Sequence, residues 1–482
     1  MITDSQTRTK IGDAKASPTK EFFVKMLTRD IELEDAILDL LDNCLDGVVR
    51  SISSATITDL PYSGFEAKLT ISPEHFSIED NCGGIPIDIA KKYAFTMGRP
   101  PNAGNTIPGT IGMYGIGMKR AIFKLGTDGF VESFNDESFW VEFSSKWMAS
   151  EDWDDLPMYE LPSEQLAQGH TKISVLELAE EVKSRFGDAN WVDDFKRKVA
   201  QHYALIIAKG FSVRIGTPEE FKEDVKPIEA ESFSLLSSNN GDDESSKISP
   251  HYYTGEIDGV KIEIFAGLYR ELLSQSELDT EEETRGSTDS AGWTVACNDR
   301  VVIWKDKTKL TGWGEASVPN YHGQFIPITG IVLFSANDTR KLPLTTTKRG
   351  IDAASNVFLS AKDHMRTATK AMTTFTNKWK KFPEDREKLY RSAQHLSLPE
   401  LRRSAIDLAS KPTRKDPSIS FYAPTLPSPR QENTSTRVSF VADKNDVKLV
   451  SKHFFDTDSA TAAEVGKRAF DEAIASAKDG DA

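Results

Sequence analysis

The sequence predicts an α+β protein, and three observations carry that expectation. Residues 21–50 read as helical, with apolar residues recurring at helical spacing. From there to Val175 come strand-like runs, glycine-rich turns and short helices. A second set of strand-like runs follows (VKIEIFAG, WTVACNDRVVIW, FIPITGIVLFSA), closed by helical stretches at 355–381 and 384–409.

Composition bounds the function. The 482 residues are 38% hydrophobic and 28% charged, enough for several ordinary cores. The net charge of −15 argues against a dedicated nucleic-acid binder, which usually carries a basic excess. Cys44, Cys82 and Cys297 lie far apart and form neither metal-ligand spacing nor a disulfide framework. No apolar run reaches a membrane-spanning length, and residues 1–20 lack an apolar signal core. A cytoplasmic protein with no membrane partner is the expectation.

Divisions are expected at 1–185, 186–372, 373–410, 411–436 (a Pro-, Ser- and Lys-rich linker) and 437–482. Residues 193–209 read as helix, feeding a strand at Ser212–Ile215. The polar segments Ser237–Ser249 and Ser274–Ser290 read as loops. The tail offers a strand-like run, RVSFVA, and a helix near Ala460–Ala477.

Three constellations carry chemistry. In LEDAILDLLDNCLDGVVR, Ile37, Leu41, Cys44, Leu45 and Val48 share one helical face, and Asp39, Asn43 and Asp46 share the opposite one with Asp35 and Asp42. Taken alone, this is an amphipathic helix with a solvated acidic face. Read functionally, the Asn43 amide oxygen ligates Mg²⁺, a hard cation that keeps most of its waters and phosphates. Asp39, one turn earlier, orients or deprotonates an attacking water. Next, a strand-like HFSIE runs into Asp80-Asn81-Cys82-Gly83-Gly84-Ile85-Pro86. An acceptor at a strand end, beside glycines that admit a planar base, suits the adenine amine. Finally, GTIGMYGIGMKRA places Gly112, Gly115 and Gly117 before Lys119 and an apolar helix, a pattern that turns backbone amides toward an anion. It fits neither the P-loop spacing nor the Rossmann fingerprint.

The order of these motifs resembles the N box and glycine boxes of the GHKL ATPases (gyrase, heat-shock chaperone, histidine kinase, MutL). IGMYGIGMKRA is most similar to MORC-type ATPases and bacterial MORC-like proteins. The resemblance spans roughly residues 20–180 and implies a Bergerat ATP-binding fold, a two-layer α/β sandwich, using ATP and Mg²⁺. It implies nucleotide contacts from Asn43, Asp46, Asp80, Gly84, Ile85, Met97, Gly112, Tyr114, Gly115, Ile116, Gly117, Met118 and Lys119. Thr171, in GHTKISV, inherits the threonine that supports adenine beside the aspartate. Residues 186–372 resemble the ribosomal-protein-like transducer, whose phosphate-sensing lysine is matched by Lys348 in LPLTTTKRGID, with Arg349 second. A small C-terminal helical region completes the expected fold.

The resemblance also implies an ATP-dependent homodimer, and the C-terminal region is expected to dock a protein partner. Basic residues from Lys378 to Arg403 leave a nucleic-acid role as a weaker reading. Three departures stand out. Asp39 replaces the family's glutamate base, so slow turnover, or a nucleotide-binding scaffold without turnover, is expected. Cys82 replaces the first glycine of its box, and His170 is inserted before Thr171. Asp42 is the alternative acid, with a solvated face the favoured reading. Cys44 and Cys82 read as packing residues.

Overall fold

The computed structural model describes residues 11–12, 19–52, 59–98, 115–150, 153, 155–162, 165–238, 247–273, 290–345, 350–380, 382, 389–408, 419–429 and 438–480. The chain divides into two units, Met1–Pro429 and Arg430–Ala482.

The larger unit begins with a seven-stranded sheet. Its strands are β1 (Glu66–Ile71), β2 (Phe76–Asp80), β3 (Gly129–Phe134), β4 (Ser138–Phe143), β5 (Met158–Glu160), β6 (Thr171–Val175) and β7 (Ser212–Gly216), in the order β5-β4-β3-β6-β2-β1-β7. All neighbours are antiparallel except the parallel pair β1–β7. Strands β3, β4 and β6 alternate buried and half-buried positions, the pattern of a sheet with one covered face.

Helices α1 (Lys20–Arg29), α2 (Leu33–Ser51), α3 (Ile87–Ile89), α4 (Gly117–Leu125), α5 (Ser145–Ala149), α6 (Glu180–Phe186), α7 (Ala189–His202) and α8 (Ala204–Ala208) accompany the sheet. α2 has no proline, and Ala36, Ile37, Leu41 and Val48 are fully enclosed in the first core with Leu69, Val131 and Val175. It ends where Ile52 turns extended, its N–H still bonded to Val48 O at 2.9 Å. The acidic face expected to be solvated is largely covered: Asp39 is buried against α4, Asp42 against Tyr203 and the second sheet, Asp46 is also buried, and Asp35 is half-buried. The stretch expected as one helix at 193–209 is two, α7 and α8, interrupted at Tyr203, whose hydroxyl reaches α2.

The second sheet contains β9 (His251–Ile257), β10 (Val260–Leu268), β11 (Gly292–Cys297), β12 (Arg300–Asp306), β13 (Ile328–Ser335) and β15 (Ser420–Tyr422), in the order β12-β11-β13-β10-β9-β15. The β11–β13 pair is parallel and the others antiparallel. The 24-residue helix α9 (Asn356–Trp379) crosses one face, burying Phe358, Met365, Met372 and Phe375 against it. Trp293 Nε1 donates to Thr369 Oγ1 at 3.0 Å, so this buried indole leaves no orphan donor.

Three expectations need correction. Part of the 384–409 stretch expected as helix is strand β14 (Ala393–Ser397), which pairs with β8 (Ser234–Ser238) and so satisfies an otherwise open ladder. Helix α10 (Leu398–Leu408) begins after it. The expected linker at 411–436 supplies β15, a Ser-Phe-Tyr run added to the β9 edge. The run RVSFVA is not a strand over its described residues. Phe440 and Val441 are exposed, and no described strand pairs with it. Most of Ser237–Ser249 and Ser274–Ser290 lies outside the described residues.

The smaller unit contains helices α11 (Lys444–Phe455) and α12 (Ala462–Gly480), the second matching the expected C-terminal helix. Among the described residues no helix is long and apolar enough to cross a membrane.

Candidate functional site

α2 forms one wall of the site. Asp39 Oδ2 accepts a hydrogen bond from Arg120 Nη2 of α4. A Cβ added at Gly117 would lie 3.4 Å from Asp39 Cβ and 3.5 Å from its Oδ2, so the first turn of α4 rests on this carboxylate. Asn43 is half-buried and Asp46 buried, both on the Asp39 side of the helix.

The end of β2 forms the floor. Asp80 Oδ1 accepts the Cys82 N–H at 2.8 Å, a tight turn of the kind aspartate favours. Burial pushes the Asp80 carboxyl above its ordinary range, while hydrogen bonds from the Cys82 backbone and the Cys44 and Cys82 thiols pull it back. Burial also pushes both thiols well up, so they are neutral packing groups.

Glycine is required where α2 meets this turn. A Cβ on Gly47 would sit 2.7 Å from Cys82 O and 2.9 Å from Cys82 Cβ. Gly84 has φ +70, and a Cβ there would meet Phe134 O at 2.5 Å.

Thr171 opposes Asp80 in the β2–β6 register. Its Oγ1 lies 2.9 Å from Ser133 Oγ, which accepts the Ile85 N–H at 2.8 Å. Thus Thr171, Ser133 and Ile85 form one hydrogen-bonded cluster, set beside Asp80 by the β2–β6 register. The inserted His170 turns aside, its Nδ1 3.3 Å from Glu79 Oε1, and leaves Thr171 as the first residue of β6.

The remaining sequence candidates divide. Ile85, Met97 and Met118 pack half-buried at the margin of the first core, and Ile116 is the residue preceding α4. Gly115 adopts φ +65, the left-handed conformation its glycine permits. Lys119 is 2% exposed, and its ammonium bonds the carbonyls of Ala94 (2.8 Å) and Gly115. Burial lowers its pKa to about 8. Gly112, Tyr114, Lys348 and Arg349 lie outside the described residues.

Sequence reasoning missed Arg120, Ser133 and Gly47. A glycine inside a periodic helix was a legible signal of close backbone approach. Arg120 and Ser133 carried no such signal. The solvated-face reading of Asp42 is also overturned. It is 2% exposed, with Oδ1 at 2.7 Å from Tyr203 Oη and 3.0 Å from Arg300 Nε.

Residues 31–173 match the family model of Histidine kinase-, DNA gyrase B-, and HSP90-like ATPase. The matched stretch holds α2, the β2 turn, α4 and Thr171, under a third of the chain. It supports ATP binding as the general property of this region. No curated protein matches the chain.

Proposed function

We propose that this chain binds ATP with Mg²⁺ between α2, the β2 turn and α4, and hydrolyses it slowly as a nucleotide-gated dimerisation switch. The observation that carries the reading is the close approach of α2, which bears Asp39 and Asn43, to the turn after Asp80, whose strand pairs with Thr171, inside the stretch that matches the ATPase family model. The residues suit the ligand. Asp80 is a carboxylate acceptor at a strand end, backed by Thr171 and Ser133, beside glycines with no room for a side chain. Among the described residues no three His, Cys, Asp or Glu side chains gather as a metal centre. A single oxygen from Asn43, with phosphate and water completing the shell, suits Mg²⁺, which dehydrates reluctantly.

In this reading Asp39 orients or deprotonates the attacking water, and Asn43 would hold a Mg²⁺ ion that would supply positive charge to offset the phosphates. Asp39 must first exchange its Arg120 contact for that water. Both that exchange and the shorter reach of aspartate relative to glutamate favour slow turnover. Lys348 supplies the phosphate-sensing cation from the second half of the chain. The MORC- and MutL-like character, a homodimer formed on ATP binding and a DNA-related role belong to the same proposal. For DNA, Arg402 already pairs with Glu263 at 3.1 Å, which weakens the basic-patch argument.

A nucleotide-binding scaffold without turnover is the second reading, favoured by the Asp39–Arg120 pair. Calorimetry with MgATP and an assay of phosphate release test both. Binding plus release that is lost in Asp39→Asn supports the ATPase. Binding without release supports the scaffold, and no binding by the folded protein rejects both.

A further inference from the structure

A buried ion pair joins α2 to the second sheet. Asp42 lies three residues after Asp39 and one before Asn43, and its Oδ1 accepts from Arg300 Nε at 3.0 Å. Arg300 is the first residue of β12. Its Nη1 donates to Val301 O at 2.8 Å and His202 O at 3.3 Å. The guanidinium lies over the Tyr203 ring, 4.5 Å from its centroid, and the Tyr203 hydroxyl is within hydrogen-bond distance of both Asp42 Oδ1 (2.7 Å) and Leu38 O (2.9 Å). One turn of α2 is thus held from two sides.

The hairpin that carries Arg300 is itself fastened. Asn298 donates its Nδ2 to Ala336 O and accepts the Ala336 N–H, both at 3.0 Å. Asp299 Oδ2 accepts from Tyr62 Oη at 2.9 Å and from Lys209 Nζ at 2.5 Å. A small cavity is lined by Arg300 together with Thr339, Leu342 and Leu344, which follow β13. Arg300 therefore stands between the nucleotide helix and the segment leaving β13.

We propose that Arg300 is a positioning residue for the nucleotide site: by gripping Asp42 it fixes the rotation of α2, and with it the aim of Asp39 and Asn43. The inference rests on the ATP-binding reading above. Residues at i, i+3 and i+4 share a helix face, so a rigid hold on Asp42 fixes both neighbours. Cohesion alone does not explain the pair. Desolvating two charges largely cancels their attraction, and a well-packed apolar pair is commonly as stable or more so. A planar guanidinium bonded to three acceptors does supply orientation. The Asp39 charge also helps keep Arg300 protonated, so the two feel one another.

The test uses the full chain with Arg300→Met, Arg300→Lys and Asp42→Asn. It reads phosphate release, MgATP binding by calorimetry, and hydrogen exchange of the α2 amides. Arg300→Met is expected to lower kcat roughly 10- to 100-fold, the order expected for misplaced catalytic groups, with KM and nucleotide affinity within about threefold. Exchange across 38–46 is expected to rise, and Arg300→Lys to recover part of kcat. Where Arg300→Met does not fold, the lysine and asparagine variants carry the comparison. Unchanged kcat in a folded variant, or a loss confined to KM, overturns the proposal. Absence of MgATP binding by the parent rejects the ATP reading instead. Exchange then decides alone: faster α2 exchange in the variants sustains the positioning role, and unchanged exchange refutes it.

Discussion

Arg120 and Asp39 meet across 81 residues of sequence, the guanidinium of α4 donating to the carboxylate of α2. Their side chains are 13% and 7% exposed, so water screens the pair weakly. The first turn after the glycine-rich segment is therefore fastened to the acid proposed to act on water. This makes Arg120 a latch on Asp39, and its release a step the proposed reaction requires.

Two substitutions separate these roles. Asp39→Asn keeps the shape but removes the base, so phosphate release is expected to fall by about 10²- to 10⁴-fold while MgATP binding persists. Arg120→Ala leaves Asp39 without this cation in a poorly solvated place, with an expected stability loss of about 3 kcal/mol, read from urea unfolding. Unchanged stability in Arg120→Ala shows that solvent or another group takes over the carboxylate.

Gly47→Ala sets two effects against each other. Alanine in a helix interior gains about 1 kcal/mol over glycine. Against this, the new Cβ stands 2.7 Å from Cys82 O, closer than any real Cβ contact, so α2 and the Asp80 turn must part. Overpacking of that kind typically costs about 1–3 kcal/mol and is expected to win. Reduced stability together with weaker MgATP binding is the expected pair of results. A stabilised variant shows that the turn yields freely.

How much was readable in advance follows from what each feature depends on. Asp39, Asn43 and Asp80 are candidates because motif order selects them from helix spacing and turn chemistry that alone are common. Thr171 is a candidate through the same motif order. Arg120 was invisible, since only the crossing of α4 over α2 selects it among the chain's cations. The burial of Asp42 was equally hidden, because helical periodicity reports which face is apolar and says nothing about what covers the other. Strand β14 was mistaken for helix because Ala393–Ser397 has no strong alternation of its own, and pairing with β8 decides its state. Phe440 and Val441 show the converse, β-prone residues left as coil with no described partner strand.

Acid is expected to weaken the fold through His202 and His251, each lowered by burial to a pKa of about 4 from 6.5. Below 6.5 the unfolded chain binds protons that the native histidines refuse. Their contribution is full above pH 6.5 and is lost as pH falls toward 4. His251 Nε2 is buried without a hydrogen-bond partner, so a proton there gains no compensation. Urea midpoints measured between pH 7 and 4.5 are expected to fall, and His251→Gln to fall less steeply. Equal slopes in both proteins remove His251 from the explanation.

Lys119 gives the opposite window. Its pKa is lowered from 10.5 to about 8 because burial disfavours the ammonium. Below pH 8 both folded and unfolded states carry the proton, and folding bears the full desolvation penalty. Between 8 and 10.5 the unfolded chain holds more protons, so stability rises with pH across that interval. Two and a half pH units correspond to a gain on the order of 3 kcal/mol. Lys305 is also lowered to about 8 and adds its own rise, so the measurement must be a difference. Unfolding free energies of the parent and Lys119→Met, compared at pH 7.5 and pH 10, isolate the lysine. The parent is expected to gain more than the variant over that span. The variant is also expected to be the more stable of the two at pH 7.5, because methionine occupies the same volume with no charge to desolvate. If instead Lys119→Met is less stable at pH 7.5, the bonds to the Ala94 and Gly115 carbonyls outweigh the burial penalty, and the ammonium stabilises the approach to α4.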